Sequence, residues 1–257
     1  MYRRIKETFS VTVILTVLLF LIHPPSVNAQ NAAEILERME QVMRGDSQQA
    51  EMTMKIVRPR YEREVSMRSW AKGSDYSLIL ITAPSRDRGT AYLMRENDIW
   101  NYDPRIDRTT RLPSSMMAQS WMGSDFTNDD LVRDSDILDD YEHELIGTEE
   151  YNGYESYVIE LVPKPGTPIV WGKVKMWISV DGYMQLRIEN YDQRDRLANT
   201  MELDRIEEIS GRKLPTRITV YPAGKDNERT ILEYSSIEFD VDLDESFFSQ
   251  SNLQRLR

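Results

Sequence analysis

The run Val170-Trp171-Gly172-Lys173-Val174-Lys175-Met176-Trp177-Ile178-Ser179-Val180, followed by Asp181-Gly182, decides the fold class. Val170, Gly172, Val174, Met176, Ile178 and Val180 fall on one face of an extended chain. Trp171, Lys173, Lys175, Trp177 and Ser179 fall on the other. Asp-Gly is the strongest short hairpin signal, because its residues tolerate the left-handed backbone that a tight turn needs. Met184, Leu186 and Ile188 then alternate with Gln185, Arg187 and Glu189 on a returning strand. Strand, turn and strand with no helix between them is an antiparallel pair.

The same pattern continues in both directions. Downstream, Asp192 to Arg196 turns the chain into Met201 and Leu203, and Ser210-Gly211 turns it into Leu214 to Tyr221. A last strand pair ends near Asp240, and a short helix is expected from Ser246 to Arg255. Upstream, His143 to Gly147 leads through Asn152-Gly153 into the alternating Tyr157, Ile159 and Leu161. Further upstream, Met52, Met54 and Ile56 alternate with polar residues, as do Val65 and Met67. Leu78 to Ile81 is continuously apolar, which predicts a strand covered on both faces. Tyr92 and Met94, then Ile99 to Tyr102, then Arg108 to Leu112 complete the series. Before it, Ile35, Leu36, Met39, Val42 and Met43 recur at helical spacing, so Asn31 to Met43 reads as an amphipathic helix with Asn31 as N-cap.

The sum is an α+β fold: one curled antiparallel sheet of about ten to twelve strands, an unclosed β-barrel, because so long a meander curls. Only one stretch breaks the pattern. Pro113 to Ser120 suits a short helix, Asp129 to Leu138 a second helix or acidic loop. Between them stands Trp121-Met122-Gly123-Ser124-Asp125-Phe126. Three large apolar side chains need something to cover, which predicts a lid over an apolar cavity. A plain core-capping loop is the alternative.

The chain has 257 residues, 40% hydrophobic and 29% charged, enough for a substantial core. Arg3, Arg4 and Lys6 precede an apolar run from Val11 to Ile22, and Val27-Asn28-Ala29 supplies small residues. Residues 1–29 therefore read as a cleavable signal peptide and 30–257 as one domain. The run is too short to span a bilayer comfortably. There is no cysteine, so an exported chain would stand without disulfides. The formal net charge is −11, and loss of the leader makes it more negative, which argues against nucleic acid and against docking on anionic lipid.

Little here points to chemistry. His143 is the single histidine outside the leader, in the polar run Tyr141-Glu142-His143-Glu144, and reads as a surface strand residue. Without Cys, thiol catalysis and Cys- or His-rich zinc sites are excluded, and no nucleophile elbow or phosphate-cradling loop appears. Asp240, Asp242 and Asp244 alternate like a calcium loop, but Glu245 and Ser251 occupy two of its key positions. Asp125, Asp129 and Asp130 read as helix-capping groups, although a hydrolase built on paired carboxylates stays open. No cofactor or metal is expected.

Methionine is the unusual element, thirteen in the chain. Met39, Met43, Met52, Met54, Met94, Met116, Met117 and Met122 all fall on the first helix, the early strands or the interruption. Flexible thioethers suit surfaces that accept varied apolar partners. The expected cavity wall is Met52, Met54, Met67, Met94 and Trp100, with Met117, Trp121, Met122, Gly123 and Phe126 as lid.

Asp98-Ile99-Trp100-Asn101-Tyr102-Asp103-Pro104, Met122-Gly123-Ser124-Asp125-Phe126 and Asp130-Leu131 resemble the outer-membrane lipoprotein-sorting protein family, a LolA-like group. Val170-Trp171-Gly172-Lys173, Trp177-Ile178, Lys213-Leu214-Pro215-Thr216, Phe248 and Leu253 are similar to its later strands. The resemblance spans nearly all of the chain after the leader. It implies an unclosed barrel whose helices form a lid over a cavity for acyl chains. It also implies no enzyme activity, a periplasmic monomer, and transient contact with a membrane transporter of the resistance-nodulation-division (RND) type. Lipoprotein, phospholipid or hopanoid would suit such a cavity. A sensor that reports lipid or lipoprotein to a membrane-bound envelope-stress partner is the second function this fold implies.

Overall fold

A computed structural model describes residues 27–96, 98–131, 137–167 and 169–256. The expected leader, residues 1–29, lies outside the described residues up to position 26. Helix α1 runs Val27–Met43, four residues further back than expected. The alanine-rich start carries helical backbone through Asn31, which therefore does not cap it.

Thirteen strands follow, slightly more than expected. Six form a meander: β1 (Ser47–Arg58), β2 (Tyr61–Lys72), β3 (Tyr76–Ala83), β4 (Ala91–Arg95), β5 (Asp98–Asp103) and β6 (Arg108–Arg111). An interruption contains 3₁₀ turns at Ser114–Met116 and Trp121–Gly123 and helices α2 (Asn128–Leu131) and α3 (Ile137–Asp140). The second meander is β7 (Tyr141–Tyr151), β8 (Tyr154–Pro163), β9 (Lys173–Ser179), β10 (Gln185–Tyr191), β11 (Leu197–Ile209), β12 (Arg212–Pro222) and β13 (Arg229–Phe239). Helix α4 (Gln250–Arg255) ends it.

Apart from β6 and β7, each strand pairs antiparallel with the next in the chain, and β13 also pairs with β1. The sheet therefore has two free edges, β6 and β7, and does not close between them. These edges are consecutive in the chain. The interruption that joins them must cross from one side of the opening to the other.

Turn chemistry fixes the register. Tyr151 faces Tyr154 across Asn152-Gly153, whose φ values of 50° and 83° are those of a primed hairpin turn. Ser210-Gly211 makes the same turn between Ile209 and Arg212.

Three apolar clusters cover the sheet. On the inner face, Met52, Met54, Val65, Met67, Ile81 and Met94 pack with Met117, Trp121 and Phe126 of the interruption. Beside them, Ile35, Leu36 and Met39 of α1 pack on Ile159, Leu161, Val174, Met176 and Ile178. On the outer face, Phe248 and Leu253 cover Trp70, Leu78, Leu80, Leu93 and Tyr102. The run Leu78 to Ile81 is buried on both faces as its composition requires, Ile79 and Ile81 inward, Leu78 and Leu80 under the C-terminal segment.

One strand is shorter than its alternation predicts. β9 begins at Lys173, so residues 169–172 stand before the strand rather than in it. Gly172 still donates its N–H to the Tyr191 carbonyl at 2.9 Å. A Cβ there would sit 2.6 Å from the Asp192 carbonyl oxygen and 2.9 Å from the Gln193 Cα. Backbone cannot yield as a flexible side chain does. Gly172→Ala should therefore lower stability by about 1–3 kcal/mol, read as a shifted urea midpoint at unchanged slope. An unchanged midpoint would show that this approach is not close in solution.

Candidate functional site

The interruption is tied down before it can cover anything. Arg58, the last residue of β1, points a fork at Asp125, with Nη1 3.0 Å from Oδ2 and Nη2 3.0 Å from Oδ1. The two side chains are 12% and 7% exposed. Arg58 Nη2 also donates to the Gly123 carbonyl at 3.1 Å. The Asp125 N–H donates to Thr230 Oγ1 at 2.9 Å, and that hydroxyl donates to Asp125 Oδ2 at 2.7 Å. Arg63 Nη1 donates to the Met122 carbonyl at 2.9 Å and its Nη2 to Asp87 at 2.8 Å. Two arginines from adjacent strands and a threonine from β13 thus hold this turn. Its backbone is left-handed at Met122 and Gly123, φ 51° and 81°.

Ser124 closes the turn from inside. Its hydroxyl donates to the Trp121 carbonyl at 2.7 Å and accepts from the Phe126 N–H at 3.2 Å. Asp125, expected as a helix cap, is the buried partner of Arg58 instead. Asp130 does cap. Its Oδ2 accepts from the Thr127 N–H at 2.7 Å while Thr127 Oγ1 accepts from the Asp130 N–H at 3.1 Å, a reciprocal box at the start of α2.

Between α1 and this anchored segment lies a hollow of about 320 Å³. Met39 and Met43 line it from α1, Phe126, Leu131 and Ile137 from the interruption. Ile188, Met201, Leu203, Ile218 and Leu232 form its floor across β10 to β13. Val174, Met176 and Trp171 close the third side. The wall is largely apolar. Its charged groups are Glu40 on α1, Arg44 just past the end of α1, and Asp129 and Asp130 on α2.

Trp171, just before β9, reaches across to α2. Its indole N–H donates to Asp130 Oδ1 at 3.0 Å, and the Val170 N–H reaches Asp129 Oδ2 at 3.4 Å. These bonds tie residues 170–171 to α2, and Trp171 lines the hollow. Burial pushes the Asp130 carboxyl above its ordinary range, against the hydrogen bonds from Thr127 and Trp171 that pull it back.

Of the ten residues expected to form wall and lid, the structure brings only Phe126 to the hollow. Met52, Met54, Met67 and Met94 are buried in the inner cluster, where Met117, Trp121 and Phe126 press directly on them. Trp121 is fully buried, its ring 5.4 Å from that of Tyr92. Met122 is half-buried beside the same cluster, and Gly123 is exposed at the turn. Trp100 faces outward with the α4 cluster, because Ile99 faces inward and successive strand residues alternate. The hollow lies one step further round the sheet. The amphipathic, methionine-rich face of α1 was the signal for it.

His143 sits half-buried on edge strand β7. Among the described residues no group of three or more His, Cys, Asp or Glu could hold a metal ion.

A protein-family model described as "-like: Uncharacterized protein" matches residues 73–255. No curated protein matches the chain at a significant level. A DUF1329 family protein from Desulfovibrio piger superposes with a TM-score of 0.81 at 29% identity, over 88% of this chain and 99% of that one. A LolA superfamily protein from Nitrosomonas europaea gives 0.75 at 27% identity, over 88% and 100%. An outer membrane lipoprotein-sorting protein domain from Vibrio parahaemolyticus gives 0.80 at 23% identity, over 89% and 100%, a likeness of fold.

Asp125→Asn removes the charge facing a nearly buried guanidinium and should cost about 3 kcal/mol in urea unfolding. Arg58→Lys keeps the charge but loses the two-pronged fit, and should also destabilise. Equal stability of both variants and the parent would show the anchor to be idle.

Asp130 gives a pH signature. A carboxyl raised in the folded state binds its proton more tightly there than in the unfolded chain. Its contribution is therefore fully present below the unfolded value of about 3.9 and is lost as pH rises through the folded value. The stability of the parent minus that of Asp130→Asn should fall as pH is raised from about 4 towards neutrality. A difference that stays flat or grows would contradict the burial of this group.

Proposed function

Because the chain belongs to the LolA-like family of outer-membrane lipoprotein-sorting proteins, we propose that it is a periplasmic carrier that takes the acyl chain of a lipid or lipoprotein into the hollow beside α1. The observation that carries this reading is the hollow itself, about 320 Å³ between two helical covers and a sheet floor. That volume falls within the roughly 300–1,000 Å³ of small-ligand sites. Its lining is mostly Met, Ile, Leu and Phe. Such a surface offers an alkyl chain dispersion and burial, at roughly 0.8 kcal/mol per methylene. Met39, Met43, Met176 and Met201 supply side chains that can follow different tail shapes.

Binding rather than chemistry is what such a wall supports. Its carboxylates at 129 and 130 accept hydrogen bonds from the wall and cap a helix. The chain would be loaded and emptied towards the outer membrane, and a transporter of the RND type is the partner the family resemblance supplies.

Native mass spectrometry of protein purified from its own periplasm should find bound lipid, released on denaturation. A fluorescent acyl probe should bind the emptied protein. Ile188→Trp, which puts an indole into the floor, should weaken that binding about tenfold or more while leaving the circular dichroism spectrum unchanged. Probe binding that ignores a filled floor would place the acyl site elsewhere, and an empty protein that binds no probe would end the carrier reading.

A further inference from the structure

Charge is not spread evenly over this acidic chain. Alternate turns of an antiparallel meander share an end, so the β1–β2, β3–β4 and β5–β6 turns stand together at one end of the sheet. They also touch. Arg63 of β2 donates to Asp87 in the β3–β4 turn at 2.8 Å, and a Cβ on Gly89 would sit 3.4 Å from the Pro104 ring of the β5–β6 turn. These turns and the strand starts beside them expose Arg60, Arg86, Arg88, Arg105 and Arg108. Their acids are already engaged. Asp87 accepts from Arg63 and Arg86, Asp103 from Arg105, and Asp107 from the Tyr102 hydroxyl at 2.7 Å. The side chains of Asp87 and Asp103 are 18% and 23% exposed, against 70% and 73% for Arg86 and Arg105. Nearby, Glu62 pairs with Lys55 at 2.6 Å, and Glu64 stands opposite Lys55 in register. Among the described residues Arg60 and Arg108 meet no hydrogen-bond or ion-pair partner, and Arg88 meets only the Thr82 carbonyl.

The same turns hold the two most exposed large apolar side chains among the described residues, Ile106 at 66% and Tyr61 at 55%. Each directly follows an arginine, Arg105 and Arg60. One exposed apolar side chain is ordinary; two on adjoining turns, set among unpaired guanidiniums, make an amphipathic end. That combination matches the border of a bilayer, where phosphates meet hydrocarbon. Guanidinium forks fit phosphate oxygens, and a tyrosine ring settles at the level of the headgroups. The two apolar tips are three strand spacings apart, roughly 15 Å. A protein partner would need a separate pocket for each, whereas a fluid bilayer admits a tip wherever it falls. We propose that this end, through Arg60, Arg88 and Arg108 with Tyr61 and Ile106 between them, docks on an anionic lipid surface. The net charge of −11 does not forbid it, because Asp240, Asp242, Asp244 and Glu245 are exposed at the opposite end and orient the molecule instead. None of the docking residues lines the hollow, so the assignment stands apart from the carrier reading.

Co-sedimentation of the whole exported protein with vesicles tests it. Vesicles of phosphatidylcholine containing about one-third phosphatidylglycerol should bind at least about fivefold more protein than phosphatidylcholine alone, and high salt should remove most of that excess. Arg60→Glu, on an exposed turn, should weaken binding to the anionic vesicles about fivefold. Lys213→Glu makes the same change of charge on an exposed residue at the opposite end of the sheet and should leave binding as it is. Ile106→Ser keeps every charge and should weaken binding about threefold through the lost apolar insertion. All three variants should keep the parent's circular dichroism spectrum. Binding to neither vesicle, or equally to both, overturns the assignment. So does a loss in Lys213→Glu that matches Arg60→Glu, or an Ile106→Ser protein that binds as the parent does. Uptake of a fluorescent acyl probe by the same proteins is the separate readout. Arg60→Glu should take up the probe like the parent, so failure on vesicles leaves the carrier reading in place, and a protein that sediments with vesicles but takes up no probe loses only that reading.

Discussion

The open seam between β6 and β7 is the constraint from which the rest of this architecture descends. A sheet of thirteen antiparallel strands that joined its edges would bury its own inner face as a barrel. This one does not, because β6 and β7 stay unpaired and the segment between them spans the opening. That segment must then supply the missing cover. It does so with Met117, Trp121 and Phe126, laid on the methionines of β1, β2 and β4. A short irregular segment has little helical hydrogen bonding of its own to define it. Its position is set instead by the Arg58–Asp125–Thr230 group and by Arg63 on the Met122 carbonyl. A buried ion pair of this kind adds modest net stability compared with an apolar pair, yet it specifies position sharply, since any shift strands a charge.

From this the hollow follows. The anchored segment fills the half of the inner face made by β1 to β5, and α1 covers the half made by β7 to β9. The two covers converge at Met43, which packs against both clusters, but they do not merge over β10 to β13. Apolar surfaces left apart would normally collapse together, because an empty space forfeits dispersion contacts. Here the space is held open. The hydrogen bonds from Trp171 and Val170 to Asp130 and Asp129 fasten a stretch of backbone as a wall, and polar partners resist being drawn inward. The acids of α2 therefore shape the hollow as well as lining it.

Period-two alternation and turn chemistry made the sheet legible, since one buried face and Asn-Gly or Ser-Gly turns leave few registers open. The continuous run Leu78 to Ile81 announced its two covers. The site was less legible, for a geometric reason. Alternation tells which residues face inward, but not which part of the inner face its covers fill. Met52, Met54, Met201 and Leu203 all face inward and share one cluster with Trp121, but only Met201 and Leu203 also line the hollow. Trp100 could have been placed correctly from Ile99 alone. The link between Arg58 and Asp125 spans residues far apart in sequence, and nothing local to either marks it. The Gly-Ser-Asp-Phe stretch suggested a lid through its large apolar side chains, yet its polar residues, which hold it still, say more about its role.

The two covers differ in how firmly they are fixed, and that difference bears on how a chain could enter. The segment at 121–126 is held by nearly buried charges, whose rupture leaves an unpaired ion behind. Helix α1 is held along its outer side by exposed contacts. Arg38 meets Glu34 and the Tyr183 hydroxyl, and Arg212 donates to the Gln41 carbonyl. Exposed pairs contribute at most about 1 kcal/mol each, and less in salt. What holds α1 down is chiefly the burial of Ile35, Leu36 and Met39. An entering acyl chain can replace part of that apolar contact with its own. The cover that a guest can exchange for itself is thus α1, while the anchored segment stays as the fixed wall against which the tail is laid.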